Sequence, residues 1–295
     1  MLDLDPRLLA LTRDLPLLAR ELVAGYMQGL HRSPFRGSSQ EFAAYRPYMP
    51  GDPIRTVDWK VWARSDHLFV REYEEETNFR GYLFLDASRS MDYGDGTTNK
   101  FLYGRLLCAT LALAMRNQND APGLVLLGQP TSTDEYFLPP ATRDDHIHHL
   151  MMVLQELVAD GECDTLGNFA AQLESCANRS VSILVSDGFF PLDQGREFLQ
   201  QLRMRNHDTI FFHLMSPQEM EPDFEEDMLM VDSETGRELQ VDGLVMRDAY
   251  QQRLEVLFEE IREMCVLTET EYQHIVTDQP LDEALHSYFE LRSTR

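Results

Sequence analysis

The sequence predicts an α/β protein: a Rossmann-like, doubly wound, mostly parallel sheet preceded by an N-terminal helix and an irregular, β-containing extension. Three observations lead there. Short apolar runs at residues 82–85, 123–127, 181–185 and 209–214 alternate with longer stretches of helical period, the succession of a parallel sheet covered on both faces. Two of those runs end on a carboxylate, Asp86 and Asp187, where open α/β sheets bind their ligands. Finally, 295 residues with 43% hydrophobic content suit one large α/β domain plus an appendage.

The elements follow in order. Residues 6–26 read as a helix, with Leu8, Leu9, Leu11, Leu15, Leu17, Leu18, Leu22 and Val23 at roughly helical spacing. From 31 to 80 the chain is rich in Gly, Pro, Ser, Arg and aromatics, and only 57–62 and 67–73 read as short strands. Residues 1–80 are therefore expected to form a helix and a segment packed on a sheet domain spanning 81–295. In that domain the apolar run 82–85 is the first strand, 100–117 a strongly apolar helix, and 123–127 a second strand. Helices follow at 143–158 and 168–176, a strand at 181–186, a helix at 195–205 and a strand at 209–214. Residues 228–232 and 237–241, joined through Ser233-Glu234-Thr235-Gly236, form a hairpin. A long helix at 245–264, a strand at 271–276 and a helix at 281–291 close the chain.

Composition narrows the function classes. The net charge of −24 argues against nucleic acid and against docking on anionic lipid. No stretch approaches the roughly 20 apolar residues of a membrane span, and the acidic start Met1-Leu2-Asp3-Leu4-Asp5 is unlike a signal peptide, so a cytoplasmic protein without an integral membrane anchor is expected. Cys108, Cys163, Cys176 and Cys265 are scattered with no CxxC pair, which fits buried thiols better than zinc or disulfides. Residues 219–242 carry ten acidic side chains against the single Arg237, a solvated loop or a docking surface for a basic partner.

The chemistry concentrates at Asp86-Ala87-Ser88-Arg89-Ser90. One carboxylate and two hydroxyls leave a strand together, and such hard oxygen donors suit a small divalent cation. Asp187-Gly188 ends a second strand, and Thr165 opens a helix that can reach the same crevice. His146, His148 and His149 sit within one helix at i, i+2 and i+3, so all three cannot share a face, and a surface cluster is expected. No GxSxG elbow, P-loop or GxGxxG is present.

Asp86, Ser88, Ser90, Thr165 and Asp187, in this order, resemble the metal-ion-dependent adhesion site of von Willebrand factor A domains. The resemblance implies that the serines and the threonine hold Mg²⁺ directly or through water, with the aspartates one or two shells away. A cation with so few anionic ligands stays electrophilic and takes a partner's carboxylate. Arg89, between the serines, departs from the pattern by its bulk and charge.

A second resemblance is more specific. Gly37-Ser38-Ser39-Gln40-Glu41-Phe42, Arg46-Pro47-Tyr48-Met49-Pro50-Gly51-Asp52, Arg55-Thr56-Val57-Asp58-Trp59 and Ala63-Arg64 occur in one continuous order. With Ala249-Tyr250, Tyr272, Val276-Thr277-Asp278 and residues 285–292, they are similar to the bacterial family catalogued as domain of unknown function fifty-eight, over residues 31–292. Membership implies a von Willebrand A-like domain and partnership with a MoxR-type AAA+ ATPase and a client protein. Read physically, residues 48–53 are turn chemistry, while Arg46, Arg55, Arg64, Asp52, Asp58, Trp59 and Trp62 suit internal bracing, with the tryptophans buried; the alternative is an Arg-rich patch that meets an acidic surface on an ATPase ring. The expected function is a non-enzymatic, Mg²⁺-dependent protein-binding module, with Mn²⁺ or Ca²⁺ as other possible ions. The alternative is a metal-dependent hydrolase of phosphoryl or acyl substrates, for which Asp92 and Asp95 are the nearest further acids.

Overall fold

A computed structural model describes residues 14–30, 44–47, 62, 69–72, 79–128, 137–161, 170–223, 228–231, 237–281 and 286. The chain divides into two compact units, one of Met1–Gly29 with Phe79–Arg295 and one of Leu30–Asn78.

In the larger unit, helix α1 (Leu15–Leu30) buries Leu15, Leu18, Ala19 and Val23, an apolar stripe at helical spacing, and leaves Leu17 outside. Asp14 starts it, its Oδ1 accepting from the Leu17 amide at 3.1 Å. In the smaller unit, β1 (Ala44–Pro47) and β2 (Phe69–Glu72) pair antiparallel, Ala44 opposite Glu72. β2 is the strand expected at 67–73, whereas β1 was not expected. Trp62 is helical and 43% exposed, correcting the expected strand and the expected burial at that position. The run from Val57 to Trp62 is too short for its period to separate strand from helix. Trp59, Asp52, Arg55, Asp58, Arg64 and the turn at 48–53 lie outside the described residues.

The remaining elements of the larger unit are β3 (Arg80–Asp86), α2 (Lys100–Asn117), β4 (Ala121–Leu127), β5 (Phe137–Leu138), α3 (Asp144–Glu156), α4 (Ala170–Ser175), β6 (Val181–Ser186), α5 (Leu192–Met204), β7 (Asp208–Met215), α6 (Pro217–Met220), β8 (Met228–Val231), β9 (Glu238–Val241), α7 (Gly243–Leu267) and β10 (Glu271–Val276). Six strands form one sheet in the order β10-β7-β6-β3-β4-β5, and every neighbouring pair is parallel except β4–β5. This is the doubly wound, mostly parallel sheet expected. β5, two residues long, and α6, four residues long, are too short to carry a readable period and were not expected.

Each strand alternates its side chains between two covered faces, which is why the strands read as continuous apolar runs. Leu83 and Leu85 join α1, the Leu107, Leu111 and Met115 stripe of α2, and Ile147, Leu150 and Leu154 of α3. Tyr82 and Phe84 join Leu173 of α4, Phe198 and Leu202 of α5, and Ile261 and Met264 of α7. Phe198 meets Phe84 edge to face with ring centroids 5.2 Å apart. α5 starts at Leu192, ahead of the expected 195, directly after Pro191 and with Asp193 in its first turn to complement the helix dipole. β8 and β9 form the expected hairpin, with Leu229, Val231 and Leu239 exposed. Cys108, Cys176 and Cys265 are free and buried, and burial raises all three thiols. Of the expected closing helix only His286 is described and helical; Cys163 lies outside the described residues.

Leu111 is fully buried between α2 and the sheet, so Leu111→Ala is expected to cost about 2–5 kcal/mol. Leu239→Ser, on the exposed hairpin, is expected to change stability by less than about 0.5 kcal/mol. Urea unfolding followed by circular dichroism measures both; equal costs would contradict the placement of the core.

Candidate functional site

β3 and β6 are parallel neighbours with Leu85 opposite Val185, so Asp86 and Ser186 emerge side by side at the carboxyl end of the sheet. From β3 the chain runs first to β4 on one side, then back across to β6 on the other. The β3–β6 boundary is therefore the topological switch point, where an open sheet leaves a crevice.

Asp86 is held from two directions. Its Oδ1 accepts from the Ser88 amide at 2.9 Å and its Oδ2 from the Ser186 hydroxyl at 2.6 Å. Ser88 then enters a 3-10 turn, Arg89–Met91, anchored by the fully buried Met91. That turn brings the Ser88 and Ser90 hydroxyls to 3.1 Å. Burial, then the charge of Asp187, pushes the Asp86 carboxyl up to about 6, against the hydrogen bonds from Ser186 and Ser88. The two strand-end carboxylates therefore feel one another, as a shared site requires.

The donor set fits a small divalent ion. Adjacent oxygen ligands of an octahedral cation at about 2.1 Å are about 3 Å apart, close to the separation of the two serine hydroxyls. Asp86 retains lone pairs beyond its two hydrogen bonds. Among the described residues no group of three or more His, Cys, Asp or Glu is placed to share a metal, so a cation here depends on hydroxyls and water. Thr165 lies outside the described residues. The chain just before it is pinned to the loop: the Gly161 amide donates to Ala87 O at 3.1 Å, and Gly161 O accepts from the Arg89 amide at 3.1 Å. A Cβ on Gly161 would sit 2.2 Å from Gly128 O, so only glycine allows this approach.

Asp187 has a partner that the sequence did not reveal. Its Oδ2 accepts from Lys100 Nζ at 2.8 Å, and the same ammonium donates to Glu219 Oε1 at 2.6 Å. Lys100 is fully buried, with Nζ 5.2 Å from the ring centre of Phe189 and 5.7 Å from that of Tyr93. Burial alone would lower the ammonium, but Asp187 and Glu219 outweigh it and leave it raised, hence charged. Glu219 is itself fixed by a capping box: Ser216 Oγ accepts from the Glu219 amide at 3.2 Å, and Glu219 Oε2 accepts from the Ser216 amide at 2.8 Å. One signal was present in the sequence. Lys100 is one of only two lysines and opens a helix, where a cation opposes the helix dipole unless carboxylates hold it.

Behind Asp187 the support is rigid. Gly188 has φ +72°, and a Cβ there would lie 2.8 Å from Ile261 Cδ1. His213 Nε2 donates to Asp187 O at 2.8 Å, while Nδ1 accepts from the Tyr272 hydroxyl at 2.8 Å. Both bonds are met by one neutral tautomer. Burial first, then His274, pulls His213 down to about 3. On the open side stand Arg89, Tyr93 and Phe189, all exposed.

Other expected candidates are elsewhere occupied. Asp92 Oδ1 accepts from Asn99 Nδ2 at 2.8 Å, and Asp95 opens the 3-10 turn Gly96–Thr98. His146 Nε2 donates to Pro122 O at 2.8 Å while His148 and His149 are exposed, so the three share no site, as expected.

The family described as "Protein of unknown function DUF58" has a model that matches residues 44–257. Uncharacterized proteins of Mycobacterium bovis and Mycobacterium tuberculosis are 26% identical over 250 residues, covering 83% of this chain and 77% of theirs. Among solved structures, BatB from Bacteroides thetaiotaomicron aligns with a TM-score of 0.47 and 14% identity, covering 74% of this chain and 100% of that one. An aerotolerance-related membrane protein from Bacteroides fragilis aligns at 0.42 and 16%, covering 71% and 97%. The SpRpn10 VWA domain aligns at 0.40 and 12%, covering 71% and 94%.

His213 makes the support under Asp187 sensitive to acid. Its folded pKa lies below its ordinary value, so the unfolded chain takes the proton first. The stability it contributes is complete above about pH 6.5 and is lost as the pH falls toward 3. Asp86, shifted upward, works in the opposite sense, so the test is a difference. The stability gap between wild type and His213→Gln is expected to shrink by up to about 1.4 kcal/mol per pH unit between about pH 6.5 and 5. A gap that stays constant in urea unfolding would contradict this.

Proposed function

This chain belongs to the DUF58 family, and from that premise we propose that it is a non-enzymatic, Mg²⁺-dependent protein-docking module. Asp86, Ser88, Ser90, Thr165 and Asp187 hold the ion, which when bound supplies an electrophilic docking point for a partner's carboxylate. The observation that carries this is the pair of serine hydroxyls 3.1 Å apart at the switch point, beside an aspartate fixed by two hydrogen bonds.

The protein's own residues shape what docks. Ser186 and the Ser88 amide aim Asp86, the Arg89–Met91 turn presents both hydroxyls on one side, and His213 and Gly188 fix Asp187 from behind. Arg89 adds a second positive group for an acidic partner, and Tyr93 and Phe189 offer aromatic contact at the mouth. The family resemblance supports a MoxR-type AAA+ ATPase and its client as the partners. Among the described residues no helix is long and apolar enough to cross a membrane.

Mg²⁺ at a hundredfold excess over its Kd is expected to stabilise the wild type by about 2.7 kcal/mol. Asp86→Ala and Ser88→Ala are expected to abolish that gain, and Mg²⁺-dependent capture of a purified MoxR-type ATPase, while leaving the circular dichroism spectrum unchanged. Capture that survives both variants, or excess chelator, would refute docking through metal. Metal-dependent turnover of phosphate or acyl esters would replace docking with hydrolysis.

A further inference from the structure

The buried Lys100 ammonium is not one of the donors that recommend the site for a cation, yet it is bound directly to one of the site's two carboxylates. We propose that Lys100 and the divalent ion compete for Asp187, and that Glu219 decides how strongly Lys100 competes by holding its ammonium from the other side. This rests on the metal-docking function proposed above.

The geometry carries it in three steps. First, Asp187 has one oxygen committed to Lys100 Nζ at 2.8 Å and the other accepting from the Phe189 amide at 3.2 Å, so any pull on that carboxylate by a cation acts against the ammonium. Second, the ammonium has another acceptor that stays in place. Glu219 Oε1 lies 2.6 Å from Nζ, while the other Glu219 oxygen accepts from the Ser216 amide, and Glu219 O accepts from the Tyr250 hydroxyl at 2.8 Å. Asp187 can therefore turn toward a cation without leaving a buried ammonium unpaired. Third, Asp187 and Glu219 set two carboxylates against one ammonium, and Asp86 ends the neighbouring strand, so the local balance stays negative and still invites a cation.

A lysine is a costly choice for this position. It is fully buried and stands in the first turn of α2, where the helix dipole disfavours positive charge. A wholly structural role would be met by an apolar side chain facing protonated or absent acids. Tuning of an adjacent ion site accounts for both the lysine and the pair of acids that hold it.

The test is Mg²⁺ titration of the full chain by isothermal calorimetry, with thermal unfolding in Mg²⁺ and in chelator. Lys100→Met keeps length and removes charge; it is expected to bind Mg²⁺ at least tenfold more tightly, to be less stable in chelator, and to gain more on adding Mg²⁺. Glu219→Gln keeps an acceptor but leaves Asp187 as the only charged partner of the ammonium, and is expected to weaken Mg²⁺ binding several-fold. Opposite directions in the two variants exclude a general loosening of the fold. If Lys100→Met folds only in Mg²⁺, competition is supported; if it folds in neither condition, Glu219→Gln decides, and unchanged or tighter binding there overturns the inference. Wild-type binding that is lost in Asp86→Ala but unchanged in both new variants overturns the inference and leaves the docking function standing. No binding by wild type with binding by Lys100→Met supports the competition and ends the Mg²⁺-dependent function. Absence of binding in all of them ends both.

Discussion

Two carboxylates leave adjacent parallel strands into one crevice, and much of the surrounding architecture answers their charge. Asp86 ends β3 and Asp187 follows β6, so the pairing of Leu85 with Val185 alone brings them together. Neither can be left bare in a buried position. Asp86 is met by an amide and a hydroxyl, Asp187 by an ammonium and an amide, and the upward shift of Asp86 shows that the compensation is incomplete. An incompletely compensated acid beside the paired Ser88 and Ser90 hydroxyls is chemistry suited to a cation.

The rest of the sheet domain keeps that crevice in shape. Helices pack on both faces through two separate apolar clusters, so the strand ends cannot slide without disrupting one of them. Close approaches reinforce the rim: Gly161 against Gly128 O on one side, Gly188 against Ile261 and His213 on the other. The capping box of α6 extends the same logic outward, since it aims Glu219 inward at Lys100 from the start of the acidic segment. A braced floor with an exposed rim of Arg89, Tyr93 and Phe189 suits the docking role proposed for it.

The acidic surface and the local site make different demands on a partner. A net charge of −24 repels acidic proteins at long range, whereas the docking chemistry proposed at the crevice selects a carboxylate at contact. Recognition would then depend on short-range geometry more than on steering. The exposed hairpin, with Leu229, Val231 and Leu239 outward, is a separate surface within the same acidic segment.

Much of this was legible in the chain. Buried parallel strands must be apolar on both sides, so the runs at β3, β4, β6 and β7 stood out, and the strand-end residues Asp86, Ser88, Ser90 and Asp187 could be picked because ligands gather at such ends. Short elements such as β1, β5 and α6 carry no period, and Trp62 sits in a run where strand and helix patterns overlap. The layered sheet and the kinds of donor at its edge are readable along the chain, because periodicity and residue chemistry are local properties. That Lys100 faces Asp187 and, 119 residues away, Glu219 emerges with the folded arrangement alone, since no local rule pairs a buried charge with a distant partner.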